Sequence, residues 1–243
     1  TARSYYLYDI VNLLLNDGWK GSTEVTFEQY DGYDIRWAYI DCGVDGKKEL
    51  LLEINKDSNS AVTYYVLQYR EGQLYLCYAI DKGERSFLTV ADCGYLQYAG
   101  SGGAYSHSGY NIVLDNDGSP HLIDKWYSEI RGEFLYIEDD ETDNLVNDIL
   151  IEYSEEHEMN DDLYGFELAC YFIGGEYYYL YYFDEEDEVQ VDLAKTLEES
   201  EIDFATAEEI EELIAEEKAK WGIFESEEET EVTYKHLETY EYY

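Results

Sequence analysis

Apolar and polar positions alternate along much of this chain with the two-residue period of half-buried strands, and helical spacing is confined to a few segments. The opening is one of those segments. Tyr5, Leu7, Ile10, Val11, Leu13, Leu14 and Leu15 predict an N-terminal helix that closes near Asp17 and Gly18. In residues 23–30, Val25 and Phe27 alternate with Glu24, Thr26 and Glu28 as in a strand. Residues 35–41 predict another strand. Residues 48–54 are apolar nearly throughout, the pattern of a central strand covered on both faces. Residues 61–69 and 73–80 are β-branched and aromatic runs joined through Arg70, Glu71 and Gly72, which predicts a hairpin. A second hairpin is expected from residues 111–114 and 121–126 across Asp115, Asn116, Asp117 and Gly118. Gly100, Ser101, Gly102 and Gly103 between the hairpins predict a flexible loop, and residues 133–138 a further strand.

Beyond an acidic break at residues 138–143 the pattern restarts. Residues 145–153 fit a helix or a strand. Residues 164–172 and 176–183 predict a hairpin across Gly174 and Gly175, followed by an acidic tip at residues 184–188. Thr206 followed by Glu209 is a capping-box signature, and Ile210, Leu213, Ile214 and Trp221 line one face of the helix it starts. The opposite face is rich in glutamate, with Glu216 and Lys220 placed as an i,i+4 pair. Residues 225–243 are charged and fit a strand or a tail. The expected class is α+β: a β-rich antiparallel meander with an N-terminal helix over residues 1–137, and an acidic αβ extension over residues 138–243, as two regions or one continuous domain.

Composition strengthens the β reading. The 243 residues are 45% apolar and 17% aromatic, enough to build a core despite the charge. The 29 tyrosines suit half-buried strands and interfaces, since each ring is apolar and each hydroxyl seeks a partner. Pro120 is the single proline, so turns rest on glycine and on Asp and Asn.

Charge separates the two regions. Residues 1–137 carry 20 acids and 11 bases, net −9; residues 138–243 carry 37 acids and 4 bases, net −33. With no basic patch to displace counterions from phosphates, direct nucleic-acid binding is excluded, as is attraction to anionic lipid. The longest apolar run, residues 171–183, is short and broken by Gly174, Gly175 and Glu176, so membrane insertion is not expected. The four cysteines, Cys42, Cys77, Cys93 and Cys170, make neither a CxxC site nor a dense disulfide framework.

Candidate chemistry begins at Asp41. Asp41, Asp45 and Gly46 occupy positions one, five and six of a calcium-type loop, but position three is Gly43 and position twelve is Leu52, so the bidentate carboxylate is missing. Lys47 and Lys48 beside the loop oppose a dication. Asp41, Asp45 and Glu49 are therefore candidate ligands for a weakly held Ca²⁺ and no other cofactor is expected; the alternative is a strand-to-strand turn in which Asp41 and Asp45 cap backbone amides.

The run Tyr39-Ile40-Asp41 followed by Asp45-Gly46-Lys47-Lys48-Glu49-Leu50-Leu51-Leu52 resembles a segment of uncharacterised β-rich domains in secreted proteins and lipoproteins of Gram-positive bacteria, where a degenerate calcium-type loop joins two strands. Arg85-Ser86-Phe87, Cys93-Gly94-Tyr95 and Ser101-Gly102-Gly103-Ala104 are similar to a second patch of that group. The resemblance covers about residues 30–115. It implies a secreted or cell-surface location and no particular activity. The chain starts at Thr1 without an initiator methionine, consistent with a leader removed, and a cytoplasmic location is the alternative.

The run Tyr177-Tyr178-Tyr179-Leu180-Tyr181-Tyr182-Phe183 places aromatics on both faces of one strand. Tyr177, Tyr179 and Tyr181 are candidates for a platform that stacks on a glycan or a protein, and the alternative is a strand covered on both sides. Glu185, Glu186 and Asp187, with the other acid runs, are candidates for binding a basic protein surface by imitating a phosphate backbone; the alternative is a solvated face that keeps the protein dispersed. No GxSxG elbow, HExxH, P-loop or dinucleotide fingerprint is present, and His107, His121, His157 and His236 are scattered. His157, between Glu156 and Glu158, is placed for at most weak metal binding. The expectation is a non-catalytic binding module for a protein or glycan, with sequestration of a basic nucleic-acid-binding partner by charge mimicry as the alternative.

Overall fold

The computed structural model describes residues 34–55, 62–71, 73–104, 106–129, 142–156, 166–200, 202, 204–224 and 232–236. The N-terminal helix and the strands expected at residues 23–30 and 133–138 lie outside the described residues. Within them the chain is β-rich, with two antiparallel sheets and few helices.

The first sheet contains β1 (Asp34–Ile40), β2 (Glu49–Asn55), β3 (Val62–Arg70), β4 (Gln73–Lys82) and the two-residue β11 (Lys235–His236), in the order β11-β1-β2-β3-β4. The apolar run in β2 puts it at the centre, as expected: the neighbours Leu51 and Leu52 point to opposite faces and are both fully buried. β2 also buries Glu53, which accepts from Arg36 directly across the ladder. In the β3–β4 turn Glu71 takes a positive φ of 52°.

The second sheet contains β5 (Ser86–Val90), β6 (Tyr95–Ser101), β7 (Ser106–Leu114), β8 (Pro120–Glu129), β9 (Glu167–Ile173) and β10 (Glu176–Tyr182), each paired with the next. The Gly100–Gly103 stretch is thus partly strand: Gly100 and Ser101 belong to β6, paired with Ser86 on one side and with Ser108 and His107 on the other. β8 pairs with β9, so one sheet runs through the charge boundary near residue 138, and the acidic region enters the fold as two further strands and the helices around them.

Each face of the second sheet has its own cover. Leu88, Val90, Leu96, Ile112 and Leu114 meet Ile40, Leu51, Tyr64 and Val66 of the first sheet in a common core. Farther along that face, Leu168, Cys170 and Tyr179 are covered by α1 (Thr142–Glu156) through Val146, Leu150 and Tyr153, and by α2 (Glu188–Glu198) through Leu193 and Leu197. Residues 145–153, which fit either element by pattern, are therefore helical. α2 starts where an acidic tip is expected, because Asp187 caps it by accepting from the amides of Val189 (3.0 Å) and Gln190 (3.3 Å).

On the opposite face lies α3 (Ala207–Lys220). Its capping box is formed: the Thr206 amide donates to Glu209 Oε2 at 2.8 Å, and the Glu209 amide to Thr206 Oγ1 at 3.2 Å. Ile210, Leu213 and Ile214 pack on Ile173, Leu180, Tyr171 and Tyr178. Trp221 is the C-cap and is partly exposed rather than in that apolar stripe, and Lys220 pairs with Glu217, one turn position nearer than the expected Glu216. Among the described residues no helix is long and apolar enough to cross a membrane.

Candidate ligand-binding face

Strand register decides which side chains of the second sheet share a surface. Residues directly opposite across antiparallel strands point the same way, so pairing gives rows running across the sheet. On the face that carries α3, one row reads Phe87, Ala99, Gly109, Trp126, Tyr171 and Tyr178 from β5 to β10. The adjacent row reads Thr89, Gln97, Asn111 and Asp124 before reaching Ile173 on β9. An aromatic row thus lies beside a row of hydroxyl, amide and carboxyl groups.

The polar row is internally bonded. Thr89 Oγ1 donates to Gln97 Oε1 at 3.2 Å, and Asn111 Nδ2 donates to Asp124 Oδ1 at 2.7 Å. Asp124 is fully buried, and its Oδ2 accepts no hydrogen bond among the described residues. Burial pushes its carboxyl up to about 6, against the opposing effects of the Asn111 bond and the positive charge of Lys218. In the aromatic row, burial and then the neighbouring Tyr182, Asp124 and Glu167 raise the Tyr171 phenol to about 12.

Gly109 shapes the aromatic row. A β-carbon there would lie 2.6 Å from Trp126 Nε1 and 2.7 Å from Cε2, so the indole rests over bare backbone. Trp126 is half-buried, as are Gln97, Ala99 and Asn111, while Phe87 is 58% exposed. α3 crosses the face from β10 and β9 over β8, and its C-terminal half reaches the β6–β7 strands, where Ile214 packs with Tyr95, Val113 and Ile123 and the Lys218 ammonium lies 5.1 Å from the Tyr95 ring centre. Along the flank of α3 a groove of about 330 Å³ has Tyr178, Phe204, Ala205 and Leu213 as its apolar wall and Glu209, Glu212 and Glu216 as its acidic one. On the other flank a hollow of about 440 Å³ holds His121, which stacks on Trp221 at 3.9 Å and bonds Asp115 Oδ2 at 2.7 Å through Nε2.

The residues singled out by pattern fall elsewhere. Tyr177, Tyr179 and Tyr181 are on the opposite face of β10, opposite Phe172, Cys170 and Leu168. Tyr179 is 3% exposed under α1 and α2, and Tyr181 packs among Phe166, Phe183 and Phe204, so the three do not form an open platform. One of them, Tyr177, is partly exposed beside Phe172. Glu185 and Glu186 are exposed in the turn before α2, whereas Asp187 is committed to capping that helix.

In the Asp41–Glu49 turn each candidate carboxylate has a protein partner. Asp41 Oδ1 accepts from the Gly46 amide at 3.0 Å and its Oδ2 lies 3.4 Å from Lys48 Nζ; Asp45 accepts from the Lys47 amide (2.8 Å) and ammonium (2.6 Å). These bonds with Lys47 hold the Asp45 carboxyl below its usual value. Glu49 is buried, and accepts from the Cys42 amide at 2.9 Å and from Gln68 Nε2 at 3.1 Å. Asp41 and Asp45 thus each cap a backbone amide, of Gly46 and Lys47. Among the described residues no group of three or more His, Cys, Asp or Glu is disposed to hold a metal ion.

Trp126, Gln97, Asn111 and Asp124 were not distinguished by their local sequence. Their signal is a polar or aromatic residue at matching positions of successive strands, and it is visible only once register is known. Fold and face together define a two-sheet β-rich protein with helices on both faces of the second sheet, one of which is partly exposed. The chain matches no protein-family model, no curated protein and no solved structure.

Proposed function

We propose that this protein is a non-catalytic binding module, secreted or held at the cell surface, that takes its ligand on the open face of the second sheet. The observation that carries this reading is the pairing of the row containing Phe87, Trp126 and Tyr171 with the row of Thr89, Gln97, Asn111 and Asp124, on a face where α3 leaves Phe87 exposed and Gln97, Asn111 and Trp126 half-buried. Rigid strands hold both rows, which keeps the entropy cost of ordering them on binding low. The extracellular placement rests on the resemblance of the Tyr39–Leu52 run to secreted proteins and lipoproteins. The test is a binding screen against immobilised glycans and peptides with the wild type and Trp126→Ala in parallel. A ligand lost with Trp126 supports the face. Retention of every ligand by Trp126→Ala would remove it.

A second reading, sequestration of a basic nucleic-acid-binding partner, is favoured by the outer surfaces of α2 and α3. Glu188, Asp192, Glu198, Glu208, Glu211, Glu212 and Glu216 are all exposed there. Capture of a lysine-rich protein such as a histone should then be strong in dilute salt and collapse near 0.5 M NaCl. Equal capture at both salt concentrations argues against this reading.

A further inference from the structure

We infer that the ligand of this face is a neutral glycan, with a pyranose ring placed against Trp126 and its hydroxyls bonded by Gln97 and Asn111. The inference rests on the binding-face reading above and names the ligand's chemistry.

Charge is the first argument. The protein carries 57 carboxylates, yet on β5, β6 and β7 this face presents Phe87, Thr89, Gln97, Ala99 and Asn111, none of them ionised. A cationic partner would settle on the glutamates of α2 and α3, and an anionic one would be repelled by the net charge of −42. On β8 the Asp124 carboxyl is offset by the nearby positive charge of Lys218, so the face carries little net charge, and what suits it on so charged a molecule is a neutral ligand able to make many hydrogen bonds.

Geometry is the second. A pyranose has an apolar C–H surface and a rim of hydroxyls, and needs an aromatic ring for the one and amide or carboxyl groups for the other. Trp126 supplies the ring. It is kept low over the sheet because Gly109 has no side chain: a β-carbon there would also meet the Tyr98 carbonyl oxygen at 2.6 Å. Asn111 is two residues along β7 from Gly109, roughly 7 Å away at the rise of a strand, about the width of one sugar ring. Gln97 is its direct cross-strand neighbour.

The third argument is the buried end of the polar row. Asp124 takes one hydrogen bond, from Asn111, and its second oxygen has none. It fixes the Asn111 amide with one N–H turned inward, which orients the amide oxygen and the other N–H, and it leaves an acceptor short of a donor beside a site for a hydroxyl-rich ligand. Asp124 is thus a positioning residue that acts through Asn111.

The experiment is a glycan array bearing neutral glucans, xylans and mannans, anionic uronic-acid polymers and lysine-rich peptides, followed by calorimetry with the best neutral oligosaccharide. The expected result is retention of a neutral glycan with affinity unchanged between 0.05 and 0.5 M NaCl. Trp126→Ala should weaken it at least tenfold, Trp126→Tyr by less, and Gln97→Ala and Asn111→Ala each several-fold with the far-ultraviolet spectrum intact. Asp124→Asn, which keeps the acceptor to Asn111, should bind within a few-fold of wild type, whereas Asp124→Ala should lose as much as Asn111→Ala. No retained neutral glycan, or one indifferent to Trp126→Tyr and Gln97→Ala, overturns the inference. A peptide or uronic-acid ligand sensitive to those two variants would overturn the glycan assignment while leaving the binding face in place.

Discussion

The side-chain amide of Asn111 donates to Asp124 at 2.7 Å across the β7–β8 ladder, and it is the one hydrogen bond this fully buried carboxyl group makes among the described residues. The consequence is a pH-dependent stability. The carboxyl of Asp124 is raised from 3.8 to about 6 in the folded protein. Below the lower value both folded and unfolded chains hold the proton. Between the two the folded chain holds a proton that the unfolded one has released, so the stabilisation is lost as pH rises through about 6. A shift of this size corresponds to about 3 kcal/mol. Urea unfolding at pH 4.5 and 7.5 should show wild type losing, relative to Asp124→Asn, on the order of 2 kcal/mol at the higher pH. Parallel pH profiles for the two proteins would contradict this.

Gly109→Ala tests the seat of Trp126. The new methyl group meets the Tyr98 carbonyl oxygen, which belongs to backbone and yields little, as well as the indole. A destabilisation of about 1–3 kcal/mol is expected, together with greater quenching of tryptophan emission by acrylamide as the ring lifts from the sheet. Unchanged urea midpoint and quenching would show that the ring does not depend on the glycine.

Neighbouring tyrosines on β10 should behave in opposite ways. Tyr179→Ala removes a buried ring from beneath α1 and α2 and should cost about 3–5 kcal/mol. Tyr178→Ala removes a partly exposed ring from the groove wall on the α3 side and should cost about 1 kcal/mol while altering ligand binding. Equal losses of melting temperature would contradict the opposite placement of the two rings.

Thr206→Ala deletes half of the α3 capping box and should lower stability by about 1 kcal/mol, with Thr206→Ser close to wild type. Thermal unfolding of the two variants side by side is sufficient to tell.

The Asp41–Glu49 turn yields a prediction about cations. Lys47 and Lys48 sit against Asp45 and Asp41, so a dication would have to displace two ammonium groups. Replacing both lysines by alanine should raise Ca²⁺ affinity in calorimetry above that of wild type. The same heat, or none, from both proteins would show that the lysines are not what opposes the ion.

The elements whose signal is local were legible in the sequence. The run at residues 48–54 marked a covered strand because it is apolar nearly throughout, and Thr206 with Glu209 marked a helix start because the cap is a contact three residues long. α2 was missed for the converse reason. Asp187 looks like one more carboxylate in an acidic tip until its side chain is seen accepting from two amides. The tyrosine strand was recognised as a strand, but which of its faces is open depends on α1, α2 and α3, all distant in sequence from one another. The candidate face was the least legible part. Thr89, Gln97, Asn111 and Asp124 are separated by 8, 14 and 13 positions, and only the pairing of four strands makes them one row.

The outermost strand of the first sheet consists of two residues, Lys235 and His236, which pair with Trp37 and Arg36; the Lys235 ammonium lies 4.8 Å from the Trp37 ring centre, and His236 Nδ1 lies 3.2 Å from Asp34. Among the described residues this pairing covers Arg36 and Trp37 of the seven-residue β1, at the edge where an unpaired backbone would otherwise be a template for another strand. Just before β11, Val232 and Tyr234 pack against the core shared by the two sheets, with the Arg36 guanidinium 4.9 Å from the Tyr234 ring centre, so the segment that closes this border also seals the layer beneath it.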